Sequence, residues 1–322
     1  MRPLTASHVA EERGTPARAG PPGRPPRSLA AALLMAARPR QWIKNLLVFA
    51  APALAGAMSR PAEIGRAGAA AAIMVVASAG VYLINDVVDA PADRVHPDKG
   101  SRPVASGELP VPAALAVGGA ALMLALTASA ILAGPALLAI VTAYAVISIS
   151  YSLWLKQVPV IELGCVVSGF LIRAVAGGVA AGVVLSEWFI IVTSAAALLV
   201  VAGKRTAEKD ALSGAAASHR PVLARYPATF LFAVRLIAAS VAVTSYALWA
   251  FGRAAHAGLG HPATGHIAFQ LSILPFVLGV LVVELAIDCG DGSAPEDLAL
   301  GNRTLQFLGL LCVALVAVGV YT

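Results

Sequence analysis

Apolar residues in this chain fall into long runs, and the polar residues are largely confined to short breaks between them. Nine runs are read as membrane-spanning helices, at 41–58, 66–88, 112–132, 135–155, 160–181, 187–203, 228–251, 266–287 and 304–321. Most approach the ~20 residues a helix needs to cross the hydrocarbon core. The alternating pattern of a transmembrane barrel is absent. The breaks carry turn chemistry: Ser59-Arg60-Pro61, Gly134-Pro135, Pro159, Pro227 and the Gly/Asp-rich stretch 288–297. Residues 28–37 (SLAAALLMAA) are apolar but too short to span. They begin late for a signal peptide and a span follows at once, which predicts a short interfacial helix. Residues 1–27 are rich in Arg, Pro and Gly and hold little apolar bulk to offset ordering entropy, which predicts a disordered basic tail. The expectation is an all-α polytopic membrane protein, with residues 1–37 ahead of a nine-helix membrane domain at 38–322. Gly178 and Gly182 make a GxxxG step suited to close helix packing.

Composition agrees with this reading and charge orients it. The chain is 59% hydrophobic and only 12% charged, with a mean hydropathy of +0.81, whereas soluble domains carry about a quarter charged residues. The net charge of +6 does not point to nucleic acid. Seven of the 23 basic residues lie in the first 40 positions, and most others fall in loops between spans. With the N-terminus inside, the inner loops hold Arg94, Lys99, Arg102, Lys156, Lys204, Arg205, Lys209, Arg220, Arg225 and Arg303. The outer loops hold Arg60, Arg66 and Arg253. The bias places the inner face in the cytoplasm. Cys165, Cys289 and Cys312 are too far apart for a CxxC pair and imply no disulfide framework.

Charge near a bilayer is costly, so the ionisable residues left at span edges are the candidates for chemistry. The densest stretch is Asn85-Asp86-Val87-Val88-Asp89-Ala90-Pro91-Ala92-Asp93. Asp86, Asp89 and Asp93 follow i, i+3, i+7 spacing, which puts three carboxylates in one arc of a helix, although Pro91 is expected to kink or end that helix. Three carboxylates so close repel one another unless a cation sits among them, and Mg²⁺ takes one or two carboxylates with water and phosphate oxygens. The loop behind it supplies Lys99 and Arg102 as phosphate holders. Arg38, Arg40, Gln41, Trp42, Lys44 and Asn45 form a polar patch at the edge of the first span. A further cluster is Lys204, Arg205, Glu208, Lys209 and Asp210, in which Lys204 and Glu208 also fit a plain i, i+4 salt bridge. Another is Asp288, Asp291, Glu296 and Asp297. Glu162 and Arg173 share one face of the fifth span, either lining a cavity or pairing with charges on neighbouring helices, as do Arg235 and Glu284. His256, His261 and His266 recur every five residues, which is not a helical metal spacing.

These motifs resemble a known family. NDVVDAPAD (85–93) matches the first aspartate-rich motif, NDxxDxxxD, of the UbiA-type intramembrane prenyltransferase superfamily, and nine helices with a cytoplasmic-facing active site are similar to its bundle. RPRQWIKNLLVFAAP (38–52), DRVHPDKGSRPVASG (93–107) and PEDLALGNRTLQ (295–306) resemble its decaprenyl-phosphate phosphoribosyltransferase branch. Aromatic prenyltransferases of the superfamily carry a second aspartate-rich motif where this chain has Lys204-Arg205-Thr206-Ala207-Glu208, and Asn302 stands where that branch would carry Asp. The resemblance implies Mg²⁺ held by Asp86, Asp89 and Asp93. It implies transfer from 5-phosphoribosyl diphosphate to decaprenyl phosphate in the plasma membrane, as a step towards cell-wall arabinan. Lys44, Asn45, Asn85, Lys99, Arg102, Glu162, Arg173, Lys204, Arg205 and Glu208 would contact the substrates. The pattern is compatible with a homo-oligomer. The competing readings are a prenyltransferase with an aromatic acceptor and a transporter, although the broken midplane helices of the latter are not apparent.

Overall fold

The computed structural model describes residues 28–96, 99–211, 221–257, 263–290, 298 and 301–322. The expected tail at 1–27, His261, and Asp291, Glu296 and Asp297 of the last acidic cluster lie outside them. The described residues contain helices and no strand. A short helix α1 (Leu29–Ala36), N-capped by the Ser28 side chain, occupies the stretch 28–37. A 3-10 run, Pro39–Phe49, passes into α2 (Ala50–Leu54). Then come α3 (Pro61–Asp93), α4 (Val111–Leu153), α5 (Ile161–Ala180), α6 (Glu187–Ala211), α7 (Pro221–Ala224), α8 (Ala228–Ala257), α9 (Ala263–Leu271), α10 (Ile273–Asp288) and α11 (Arg303–Tyr321).

Among the described residues seven helices are long and apolar enough to cross a membrane, with α9 and α10 running together as Thr264–Asp288. Three of the nine expected spans take another form. The span read at 41–58 is the 3-10 run plus α2, entered through Arg38 in the left-handed region (φ 54°) and Pro39 at the first helical position. The spans read at 112–132 and 135–155 are the two halves of α4. At Ala133 (φ −142°, ψ 23°) and Gly134 (φ 64°, ψ −152°) the backbone leaves helical values, and Pro135 follows. The Gly134 conformation is essentially reserved for glycine. A straight helix of 43 residues would reach about 65 Å, twice the hydrocarbon core, so this break turns what would be an overlong rod into two membrane-sized pieces.

Of the expected GxxxG step only Gly178 packs closely, a Cβ there standing 2.6 Å from Leu185 Cδ2 and 3.3 Å from Ala51 Cβ. Gly182 (φ 68°) is the left-handed residue past the end of α5: Val183 N–H donates to the Gly178 carbonyl at 2.8 Å and Gly182 N–H to that of Val179 at 3.1 Å, a Schellman ending. The approach of α3 to α4 runs through Gly80 and Gly118, where a Cβ on Gly80 would stand 2.8 Å from the Gly118 carbonyl oxygen. A Cβ on Gly177 would overlap the Val48 carbonyl, so α5 touches the 3-10 run backbone to backbone. Around that contact sits a core of Val48, Met74, Val81, Leu137, Val141 and Tyr144. The outward faces carry Met123, Ile131, Phe307 and Leu310, all exposed. An apolar exterior around a helical bundle is what a lipid solvent requires. This is an integral, multi-pass membrane protein.

Candidate active site

The acidic motif occupies the last turns of α3. Pro91 does not end the helix, which continues to Asp93; only the final turn loses a backbone hydrogen bond, so the three carboxylates keep their common arc. Each is paired with a base. Arg38 binds Asp86, Lys156 binds Asp89, and Arg102 Nη1 lies 2.7 Å from Asp93 Oδ2 and 3.7 Å from Asp86 Oδ1. Asp86 and Asp93 are buried, while Asp89 is half-buried. Among the described residues no three His, Cys, Asp or Glu side chains converge as a metal cage. The expected three-carboxylate ring is therefore a pair, Asp86 and Asp93, facing one guanidinium, with Asp89 turned to Lys156. Two oxygen donors with room for phosphate fit Mg²⁺, which seldom relies on an all-protein cage.

A polar cavity of about 220 Å³ lies beside the motif, lined by Arg38, Lys44, Tyr82, Asn85, Tyr144, Ser148, Tyr151, Phe170 and Arg173 among others. Arg38 lies over the Tyr82 ring with its guanidinium carbon 5.0 Å from the centroid, and the Lys44 ammonium lies 5.7 Å from that of Phe170. Arg173 is buried and well held. Its Nε donates to Asn45 Oδ1 at 2.8 Å, Nη1 to the Gly169 carbonyl at 2.5 Å and Nη2 to the Tyr144 hydroxyl at 3.0 Å. Asn45 Nδ2 is buried without a hydrogen-bond partner, an orphan donor at the edge of the site. Lys99 is exposed, with its backbone N–H 3.4 Å from His96 Nδ1.

Behind the cavity, α5 and α6 share a buried ion pair. Arg205 Nε and Nη2 reach both oxygens of Glu162 at 2.7 to 3.2 Å, and Nη1 reaches Glu208 at 2.8 Å. Arg205 Nη2 also stands 3.4 Å from the Tyr151 hydroxyl. Glu162 accepts from the Tyr226 hydroxyl at 3.4 Å, and that hydroxyl accepts from Val160 N–H at 2.8 Å. Burial pushes the Tyr226 phenol above its ordinary value of 10.0. Val160 is strained: φ 68° and ψ −48° with Ile161 N–H donating to the Pro159 carbonyl at 2.8 Å make a γ-turn that a β-branched residue seldom adopts. That turn starts α5 and aims Glu162 at Arg205. Glu162 and Arg173, read as sharing one face, thus have different duties: one grips α6, the other borders the cavity. Lys204, next to Arg205, is half-buried.

Two functional candidates were not singled out by sequence. Arg38 was only one member of a basic patch, and Lys156 counted only towards topology; their carboxylate partners lie 48 and 67 residues away, and no local pattern announces such pairs. Tyr82, Tyr144, Tyr151 and Tyr226 left no sequence signal. Arg235 pairs with Glu284 at 3.2 Å and Asp288 at 2.5 Å, away from the acidic motif. Asn302 caps α11, its Oδ1 accepting from Leu305 N–H at 3.0 Å, a duty Asn performs as well as Asp.

An apolar cavity of about 410 Å³, bordered by Leu47, Leu54, Phe170, Val192, Val200, Tyr246 and Phe276 among others, shares Phe170 as a lining residue with the polar one. The whole stretch 46–300 matches the model of the UbiA prenyltransferase family. The chain belongs to that family. Among its relatives is the decaprenyl-phosphate phosphoribosyltransferase of Corynebacterium glutamicum, 38% identical over 300 residues, covering 92% of this chain and 89% of that protein. The protein of the same name from Mycolicibacterium smegmatis is 38% identical over 326 residues and covers 99% of both chains. The fold is similar to that of a UbiA homolog from Archaeoglobus fulgidus solved with GPP and Mg²⁺ bound, with a TM-score of 0.65 at 17% identity, covering 89% of this chain and 98% of that one. It is also similar to a digeranylgeranylglyceryl phosphate synthase, with a TM-score of 0.62 at 16% identity over 91% of this chain and 98% of the other.

Proposed function

We propose that this family member transfers 5-phosphoribosyl from 5-phosphoribosyl diphosphate to decaprenyl phosphate, releasing pyrophosphate, at the cytoplasmic face of the plasma membrane. In this reading the chain crosses nine times, counting the 39–54 segment and both halves of α4. The observation that carries the proposal is the pair of neighbouring cavities, one cation-lined and one apolar, that share Phe170 in their linings. A water-soluble phosphorylated donor suits the first and a prenyl chain the second, and the near full-length relatives carry a name with the same pairing.

The roles follow from the chemistry of each group. Asp86 and Asp93, with Asp89, are the groups to hold Mg²⁺, which when bound neutralises charge on the departing diphosphate. Lys44, Lys99, Arg102 and Lys204 take phosphate oxygens, and Asn45, Asn85 and Arg173 line the donor's place beside them. Glu162, Arg205 and Glu208 fix α6 against α5, and so fix where Lys204 points. The ribosyl carbon gains oxocarbenium character as pyrophosphate leaves. The acceptor phosphate is already anionic near neutral pH, so the site needs no strong general base, in keeping with a cavity lined by Tyr, Ser, Lys and Arg. Attack opposite the leaving group inverts C1 and gives a β-linked product.

Donor choice tests the proposal. Detergent-purified protein is offered labelled 5-phosphoribosyl diphosphate with decaprenyl phosphate, and separately a labelled prenyl diphosphate with an aromatic acid, each with and without Mg²⁺. The account expects label in the lipid phase only in the first pair and only with Mg²⁺. Incorporation in the second pair alone would move the protein to the aromatic-acceptor branch. Donor flux into sealed vesicles without covalent change would make it a transporter.

A further inference from the structure

All three motif carboxylates are engaged by cations, and at Asp86 and Asp93 the two sides of the pair differ in freedom. Asp86 and Asp93 are buried on a long helix, their side chains 2% and 7% exposed, whereas Arg38, Arg102 and Lys156 are each 27% exposed. Asp86 and Asp93 are fixed by burial while their bases are able to swing, and Asp89, 23% exposed, is about as open as Lys156. Arg38 enters from the turn before the 3-10 run, and Lys156 from the turn Leu155–Gln157 after α4. Neither belongs to α3, so either can leave its carboxylate without disturbing the motif helix. Arg38 and its stacking partner Tyr82 already border the polar cavity together with Lys44 and Asn85. Formally the group is neutral: three carboxylates against Arg38, Arg102 and Lys156.

We infer that Arg38 and Lys156 are donor-phosphate ligands held in reserve by Asp86 and Asp89, and that they exchange these carboxylates for phosphate when a divalent cation takes the carboxylates. Charge balance favours joint arrival of the two ligands. A divalent ion arriving alone must displace cations that then have no anion to meet. A phosphorylated donor arriving alone meets cations already neutralised, beside carboxylates that repel it. When both arrive, every displaced cation gains a phosphate and every carboxylate a metal. Cation and donor therefore bind as a unit, and each raises the affinity of the other by the same factor. The inference rests on the donor class proposed above, but it assigns roles to two residues outside the set named there.

Binding, not turnover, tests it. Mg²⁺ is titrated calorimetrically into the full chain with and without saturating 5-phosphoribosyl diphosphate, and the donor with and without saturating Mg²⁺. About a tenfold or greater rise in each affinity is expected, within the usual range of site coupling. Lys156→Met should shift the two ligands in opposite directions: Mg²⁺ alone binds several-fold tighter, because its competitor is gone, and the donor binds several-fold weaker with Mg²⁺ present. Asp89→Asn releases Lys156 and should tighten donor binding in the absence of metal; it serves also where Lys156→Met does not fold. Lys156→Arg restores the coupling. A Lys156→Met protein in which both affinities fall together, or neither moves, overturns the exchange, as does an Asp89→Asn protein whose metal-free donor affinity drops. If a prenyl diphosphate shows the pattern and 5-phosphoribosyl diphosphate does not, the exchange stands and the donor assignment fails.

Discussion

Glu162 holds Arg205 through both carboxylate oxygens, and both side chains are buried. Removing one partner of such a pair leaves the other charge uncompensated, at about 3–5 kcal/mol. Glu162→Gln should accordingly lower the thermal unfolding midpoint sharply. Lys204→Ala, one residue from Arg205, should change stability by about 0.5 kcal/mol or less and instead raise the KM for the donor about tenfold, as loss of one phosphate contact implies. Measuring midpoint and KM on both variants separates the clamp from the contact. Tyr226 belongs with the clamp. Its phenol is raised above 10.0 chiefly by burial, so its contribution to stability is complete below pH 10.0 and fades as pH climbs through the raised value. Tyr226→Phe should remove part of the alkaline loss of stability seen in a pH series of unfolding midpoints. At this scale the sequence told which residues carry charge near a membrane edge but not whom they meet. Arg205 read as a substrate contact because its partner Glu162, 43 residues earlier on another helix, is not visible in the local sequence.

Among the elements, the segment 39–54 is where hydropathy misleads most. An apolar run of suitable length reads as an ordinary span, but hydropathy does not distinguish a 3-10 path from an α-helix. The distinction lies in one neighbour: Gly177 on α5 admits the Val48 carbonyl where any side chain would collide. Gly177→Ala should cost about 1–3 kcal/mol or more, as overpacking does, and should be seen as a lowered unfolding midpoint with diminished donor binding, since Lys44 and Asn45 ride on the displaced segment. The γ-turn at Val160 is the opposite case. Here the backbone stores strain of about 1–3 kcal/mol that Val160→Gly should partly release, raising the midpoint while loosening the aim of Glu162. Helix position, though not the count of nine, was readable because the run lengths are set by membrane thickness. The break in α4 was readable from Gly134-Pro135, and the ending of α5 was not, because Gly178 and Gly182 fit a packing step as well as a helix cap.

For the molecule as a whole, orientation is the property that charge bias alone supplied. In the nine-crossing reading six crossings separate Asp93 from Asp288, which puts the end of α10 on the same side as the acidic motif. Cys289, just past that end, is exposed, whereas Cys165 and Cys312 are partly covered within helices. A membrane-impermeant thiol reagent should label Cys289 in inverted vesicles and leave it unlabelled in intact cells; the reverse result would turn the site to the outside. The apolar exterior and the two unlike cavities that share Phe170 are what a site for both a soluble and a lipid substrate would need. The most direct measurement of that claim is the mass of the lipid made by purified protein from 5-phosphoribosyl diphosphate, decaprenyl phosphate and Mg²⁺. The account predicts a single new lipid heavier than the acceptor by one phosphoribosyl group, with an equal amount of pyrophosphate released, and neither product from Asp86→Ala. An unchanged acceptor, or the same new lipid formed by Asp86→Ala at the wild-type rate, would contradict it.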